Sequence, residues 1–471
     1  MQIKRKNPPR QARSAAIPAE VMLEALTHDG RGVAKGAGRV MLVEGAIPGD
    51  TVRVRINKQT AKRVDAVVSK IIAPSPDRVE PPCPWYGQCG GCTMQHMNNE
   101  KLLAAKQDVV LSQLQRFAGL DPERVEAPLT SPPWGYRSRA RLAVRWWNGR
   151  VHFGFRAAGS KNIVPVGECA VLVPGLSELI SPMRKILEGN KNRKAVSHIE
   201  LAAAENGCAV LLRTLELMPE EDQKRWLAFA AERNLQLYVQ PESSPRSSAC
   251  VYTADGSDSL NYTLPEQGIS LTFQPVDFTQ VNPGINRKMV SQALAWLSLT
   301  PSETVLDLFC GMGNFTLPLA KQCAQVTGVE GVQDLVARGR KNAQDNGIEN
   351  VCFEQADLAA EPGRREWQAK TYDAMLLDPP RTGALEILQQ MADKLPTRIL
   401  YVSCNPATLA RDAGFLKERG YHLARFGVMD MFPQTTHVES MGLFIKTEKP
   451  FIKTEKPFIK TEKPFIKAKK L

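Results

Sequence analysis

Between Val21 and Ile72 the apolar positions fall in short alternating runs, V-M-L-E-A-L, R-V-M-L-V-E-G, D-T-V-R-V-R-I and D-A-V-V-S-K-I, separated by H-D-G-R-G, K-G-A-G and I-P-G-D. Period-two alternation broken by Gly and Asp at this spacing predicts a small all-β barrel of five strands, OB-like, with a basic face. From Lys101 to Phe117 the period lengthens, with Leu103, Val110, Leu114 and Phe117 on one stripe, which predicts a helix. Residues 130–275 mix short strands such as R-A-R-L-A-V-R-W-W and H-F-G-F with helical pieces, an α+β pattern of weak periodicity. Beyond about Asn286, the runs T-V-L-D-L-F, Q-V-T-G-V-E, V-C-F-E-Q-A-D, Y-D-A-M-L-L-D, R-I-L-Y-V-S-C and G-L-F-I-K alternate with helical stretches. That alternation predicts a mostly parallel, doubly wound α/β sheet.

Both ends lack such patterning. Residues 1–15 form a Pro- and Arg-rich arm with too little apolar material to fold. F-I-K-T-E-K-P stands at 444–450, 451–457 and 458–464, and proline every seven residues forbids a continuous helix. Only the first F-I-K fits the end of a strand; 447–471 reads as a disordered basic tail.

At 471 residues the chain exceeds one ordinary core, so several domains are expected. Apolar content of 43% and charged content of 23% are those of a folded protein. The excess of 61 Lys and Arg over 49 Asp and Glu points to a polyanionic partner, of which nucleic acid is the commonest. Without an apolar run long enough for a bilayer or a secretory h-region, the reading excludes membrane-embedded and secreted classes and expects a cytoplasmic protein. Ten cysteines in such a chain are read as buried, metal-binding or catalytic thiols rather than a disulfide framework.

V-L-D-L-F-C-G-M-G-N-F-T-L-P-L-A carries a buried strand through Gly311 and Gly313 into a helix. Glycine lets backbone approach a ligand closely, and the helix start offers free N–H groups. Glu330 ends the next strand, where a carboxylate can accept both ribose hydroxyls of an adenosine. NAD competes, but C-G-M-G-N is not G-x-G-x-x-G, and with Asp307 on the preceding strand the loop looks like the S-adenosylmethionine loop of class I methyltransferases. Asp357, after the third strand, stands where such enzymes meet adenine; a strand-end cap explains it equally well.

After the fourth strand, L-L-D-P-P-R-T-G makes a rigid turn with Asp378, Pro379, Pro380 and Arg381 at the ligand-binding edge of the sheet. Amino-directed methyltransferases carry an aromatic residue where Arg381 stands, which argues against adenine-N6 methylation. The fifth strand ends Y-V-S-C-N-P and puts Cys404 at the same edge. Carbon 5 of uracil is a poor nucleophile until a thiolate adds to C6, and the C5 proton must leave before the thiolate can. The chemistry therefore needs one Cys and one base. Cys404 is the candidate nucleophile and Glu439, in T-H-V-E-S, the candidate base, with His437 its rival by residue type. Elsewhere, C-P-W-Y-G-Q-C-G-G-C spaces Cys83, Cys89 and Cys92, with Cys169 in V-G-E-C as a distant fourth thiol. Four thiolates suit zinc or an iron–sulfur cluster.

F-T-Q-V-N, D-L-F-C-G-M-G-N-F, D-P-P-R-T-G, S-C-N-P and H-V-E-S, in that order over about 278–445, resemble the RNA uracil-5-methyltransferase family. The resemblance implies Cys404 as nucleophile, Glu439 as base, and S-adenosylmethionine against Gln280, Phe309, Asn314, Glu330, Asp357 and Asp378. H-D-G-R-G-V-A-K-G-A-G-R-V-M-L-V-E-G-A-I-P-G-D is similar to the RNA-binding TRAM module. The cysteine spacing matches family members that carry a [4Fe–4S] cluster on Cys83, Cys89, Cys92 and Cys169. TRAM and cluster together mark the branch acting on bacterial 23S rRNA, with a single-stranded or flipped-out uridine as target. The implied layout is a TRAM barrel at 16–75, a central α+β iron–sulfur domain at 76–94 and 128–277, and a class I, Rossmann-like methyltransferase domain at 95–127 and 278–446. A monomer without DNA or membrane partners is expected. The same chemistry on another RNA, an RNA-binding protein with an inactive methyltransferase domain, and a dinucleotide oxidoreductase are the competing readings.

Overall fold

A computed structural model describes residues 20–36, 38–243, 248–254, 256–359 and 365–447. The basic arm and the repeats beyond Thr447 lie outside the described residues; the first F-I-K, Phe444–Lys446, closes the last strand.

The N-terminal unit is a six-stranded sheet built from Glu20–Met22, Ala25–Leu26, Gly32–Gly36, Arg39–Glu44, Thr51–Gln59 and Arg63–Ala73. Val21, Leu23, Val43, Val52 and Val64 fill its core. Six segments replace the expected five for two reasons. The strand expected over V-M-L-E-A-L breaks after Met22, where Leu23 N–H turns to donate to Asp50 O at 2.9 Å. The run G-V-A-K-G, read as part of the turns, is a strand paired on both sides. Glycines at both its ends leave too few side chains for the alternation to be read.

The central unit is a seven-stranded sheet ordered Ile163–Val164, Arg150–Arg156, Arg139–Trp147, Val196–Ala204, Gly207–Thr214, Leu235–Pro241 and Ala249–Tyr252. Helices Ile180–Gly189 and Glu220–Glu232 cover one face through Ile180, Met183, Trp226 and Phe229. A hairpin, Leu260–Leu264 with Ile269–Phe273, leads out of it. Among the described residues no helix is long and apolar enough to cross a membrane.

α1 (Asn99–Gln113) is capped by Asn98, whose side chain accepts from Glu100 N and Lys101 N. Its Leu103 and Val110 enter the apolar core of the C-terminal unit beside Val329, Leu416 and Phe426. The helix expected to continue to Phe117 becomes a π turn over Leu114–Ala118. The extra residue in that turn rotates the stripe, so Ala118 packs inward and Phe117 is 66% exposed.

The C-terminal sheet comprises β1 (Thr304–Leu308), β2 (Gln325–Glu330), β3 (Val351–Gln355), β4 (Ala374–Leu377), β5 (Arg398–Ser403), β6 (Tyr421–Met429) and β7 (Glu439–Lys446). Their spatial order is β3-β2-β1-β4-β5-β7-β6, and the short strand Arg124–Val125 adds to the outer side of β6. The first five run parallel, while β7 is antiparallel to β5 and to β6. This is the doubly wound α/β sheet expected, with helices α2 (Pro283–Leu297), α3 (Thr316–Ala320), α4 (Gln333–Asp345) and α5 (Pro406–Glu418) in the connections or just before them. The order reverses at β1 and β4, so a crevice opens beyond their C-terminal ends.

Candidate active site

β1 delivers Asp307 into the sheet interior and then the loop Phe309–Phe315 across its edge. Phe309 takes φ 63°, a left-handed conformation unusual for a side chain of this size and one that stores strain at a ligand-facing turn. The bend brings Gly311 N–H to Glu330 Oε2 at 3.1 Å, while Val332 N–H bonds Oε1 at 2.9 Å. Each oxygen keeps a lone pair for a hydroxyl donor. Asn314 is locked by reciprocal amide bonds with Asn286, both 2.9 Å, and accepts from Tyr262 Oη at 2.9 Å. Neither partner was singled out in the sequence: Asn286 lies on a helix face and Tyr262 in a region of weak pattern.

After β4, Asp378 enters the crevice and Pro379-Pro380 turn the chain. Gly383 closes the turn at φ 83°, with its N–H on Pro380 O at 2.9 Å. A Cβ there would stand 2.6 Å from Asp412 Oδ2 and 3.1 Å from Thr408 Cβ, so the position requires glycine. The Arg381 carbonyl accepts from Asn405 Nδ2 at 2.9 Å and Thr408 Oγ1 at 3.3 Å. Asn405 also caps α5 by accepting from Ala407 N at 3.1 Å. One asparagine thus fixes the turn carrying Asp378 relative to the strand end carrying Cys404.

β5 and β7 are paired with Ser403 opposite Ser440. Cys404 follows Ser403 and Glu439 precedes Ser440, so antiparallel register brings the thiol and the carboxyl to one end of neighbouring strands, where the charge of Glu439 acts on the thiol. Both line a cavity of about 600 Å³ together with Gln280, Phe309, Asn314, Glu330 and Asp378. Phe278 lies on its lining too and is 71% exposed. Of the sequence-predicted contacts, Asp357 alone is not brought to this lining. It is exposed, and its Oδ1 accepts from Ala359 N at 3.0 Å, the strand-end cap.

The site is acidic, and its carboxyls are buried. Burial raises the Asp378 carboxyl to about 7. Burial, reinforced by the charge of Asp378, raises Glu439 to about 8 against the opposing Arg381. Asp307 is pushed up to about 7 by burial, and among the described residues its Oδ1 has no hydrogen-bond partner. Burial and then the charges of Glu439 and Asp378 hold the Cys404 thiol up at about 11, with Arg381 pulling it down. Buried carboxyls around one arginine leave the cavity short of positive charge. A cationic ligand that also offers a ribose diol fits it. His437 borders the cavity with Nδ1 3.5 Å from Arg381 Nη2, and burial, with Arg381 next, lowers its basicity.

The four remaining candidate thiols, Cys83, Cys89, Cys92 and Cys169, line a separate cavity of about 200 Å³. Gly91 N–H donates to Cys89 Sγ at 3.4 Å, and Cys169 is fixed by its N–H on Ser177 Oγ at 2.8 Å. Burial, followed by the charges of Cys169, Cys89 and Cys83, raises Cys92 to about 12. Among the described residues no three or more side chains are gathered closely enough to hold one metal ion.

Comparison with known proteins gives a consistent picture. Residues 98–448 match the family model described as tRNA (uracil-5-)-methyltransferase, and residues 19–68 match the TRAM domain. A relative from Alkalilimnicola ehrlichii, named 23S rRNA (uracil(1939)-C(5))-methyltransferase, is 45% identical over 92% of this chain and 98% of its own. One of the same name from Pseudomonas aeruginosa is 44% identical over 92% of this chain and 96% of its own. The crystal structure of Pyrococcus abyssi tRNA (uracil-54, C5)-methyltransferase with S-adenosyl-L-homocysteine superposes with a TM-score of 0.68 and 26% identity, covering 90% of this chain and all of that one.

Proposed function

The chain belongs to the tRNA (uracil-5-)-methyltransferase family, and from that footing we propose that it methylates carbon 5 of one uridine in 23S rRNA, the target its relatives are named for. The observation that carries the reading is the Cys404–Glu439 pair, brought by strand register to one end of the sheet in a cavity shared with Asp378 and the β1 loop. Gln280, Phe309, Asn314, Glu330 and Asp378 are the residues that hold S-adenosylmethionine, with Glu330 on the ribose. S-adenosylmethionine supplies the methyl group as an electrophile.

Cys404 gives up its proton to water and its sulfur bonds to C6 of the uracil, while the C5–C6 π pair moves through C5 toward O4. C5 then uses that pair to take the methyl group as the methyl–sulfonium bond would break, the departing sulfur keeping that bond's electrons. Glu439 removes the C5 proton; the released pair rebuilds the C5–C6 double bond and expels the Cys404 sulfur. A carboxyl held at about 8 is well matched to that proton, since a base is most effective with a pKa near the working pH. Arg381 is the cation beside Cys404 that favours the thiolate. The barrel, as a TRAM domain, grips RNA flanking the target, chiefly through phosphates. The enzyme works as a cytoplasmic monomer in this reading. Mapping 5-methyluridine in 23S rRNA from cells with and without the gene tests it: one modified uridine is expected to disappear and to return with the wild-type gene. An unchanged map would overturn the substrate.

The four thiols sharing the second cavity are proposed to hold a [4Fe–4S] cluster. Zn–S bonds of about 2.3 Å draw four sulfurs round one point, whereas a cluster takes each sulfur on a different iron and suits a wider pocket. Bound there, the cluster ties the Cys-rich segment to the strand region that carries Cys169. Protein purified without oxygen is expected to be brown, with about four irons and four sulfides per chain, and to lose thermal stability when Cys92→Ser removes a ligand. Colourless protein with one zinc per chain would overturn the cluster.

A further inference from the structure

We propose that a second cavity beside Cys404 receives the base of a nucleotide adjacent to the target uridine, so that the N-terminal barrel takes part in choosing which uridine is methylated; this rests on the methyltransferase reading above. The cavity measures about 270 Å³ and shares Arg381, Cys404 and His437 with the larger one. Glu439, Asp378 and the β1 loop line only the larger cavity, so the reacting uracil belongs there. The smaller lies on the other side of the thiol. Its far wall is the barrel loop at His28 and Gly30, and its floor is the face of α1 at Ala105 and Val109.

This is a built enclosure. Gly30, at φ +81°, presses on the loop before β7 so closely that a Cβ would stand 2.4 Å from Thr436 Cγ2 and 2.8 Å from Met94 Sδ. Thr93 N–H and Met94 N–H both donate to Gln434 O at 3.0 Å, fastening the Cys-rich segment to that same loop. Within the barrel loop, Asp29 is paired with Arg31 at 2.7 Å, so its charge does not repel RNA unopposed.

Size and chemistry both select a single base. The volume falls below the roughly 300–1,000 Å³ of sites for larger ligands. Ala105, Val109, Met94 and Val438 supply apolar surface for a base face, and His28 and His437 supply imidazoles for stacking or for a base edge. Arg381 is exposed at the junction of the two cavities and has no carboxylate partner among the described residues. A phosphodiester joining the target uridine to its neighbour meets that guanidinium.

The test uses the full-length protein and three versions of one RNA fragment that it methylates: intact, abasic immediately 5′ of the uridine, and abasic immediately 3′. One of the two abasic RNAs is expected to lower kcat/KM by tenfold or more, and the other to leave it nearly unchanged. Ala105→Phe, which fills the cavity, should bring intact RNA down to the rate of the impaired abasic RNA and no longer distinguish the two, with S-adenosylhomocysteine binding unchanged. Equal wild-type rates on all three RNAs, or an Ala105→Phe protein that slows all three by one factor, would overturn the proposal. Should that variant not fold, the wild-type rates decide alone. If the methyltransferase reading itself is wrong, none of the three RNAs is methylated.

Discussion

Cys404→Ala protein is expected to bind S-adenosylmethionine and RNA normally, yet to lose methylation by about 10⁴-fold or more, the scale on which removal of a covalent nucleophile acts. The side chain lies just past the end of β5 and outside its strand pairing, so alanine leaves the sheet intact. Without sulfur nothing adds to C6, and C5 keeps its low nucleophilicity. The check is transfer of labelled methyl to RNA beside a denaturing gel of protein and RNA: no methyl, and no slow-migrating covalent species at any time. Normal turnover would remove Cys404 from the chemistry altogether.

Glu439→Gln is expected to fail at the opposite end of the reaction. Addition and methyl transfer proceed, but the amide cannot take the C5 proton, so methylated RNA stays attached to Cys404 and a covalent complex accumulates toward one per chain. Multiple turnover should fall by about 10²–10⁴-fold, the usual contribution of a general base. The substitution also removes the charge that, after burial itself, does most to hold the Cys404 thiol up, so adduct formation should be no slower than in the wild type. Its rate should climb with pH between 6 and 9, because burial, the largest cause, still holds the thiol up and each step up in pH exposes more thiolate. A Glu439→Gln enzyme that releases methylated RNA freely would move the base to another residue, with His437, 3.5 Å from Arg381, the first to examine.

The parts of this molecule legible in its sequence are those where one segment carries its own signal. The C-terminal strands are short, mainly apolar runs because both faces of that sheet are covered. Cys404, Glu439 and Asp378 stand out because their short motifs combine rare residue types with prolines and glycines that fix a turn. What the sequence hid depends on register and on distant segments meeting. That Cys404 and Glu439 share one cavity follows from Ser403 pairing with Ser440, which no local pattern encodes. Asn286 and Tyr262 matter only because Asn314 is folded against them. The strand Gly32–Gly36 was masked by glycine, and the fate of Phe117 turned on one additional residue in a helical turn. Asp357 had two readings from the start; its Oδ1 accepts from Ala359 N as a cap does, a bond that an adenine contact does not exclude.

The position of β7 has a consequence for how the enzyme comes into being. Among the described residues it is the last strand in sequence but an interior strand of the sheet, lying between β5 and β6. During synthesis, domains emerge and fold from the N-terminal end. The barrel, the central sheet and the thiol are therefore all made while the slot beside β5 is still vacant. A nascent or prematurely terminated chain lacks both Glu439 and the strand that completes the pocket wall. On the proposed mechanism, catalytic competence therefore arrives in one step, when that strand docks.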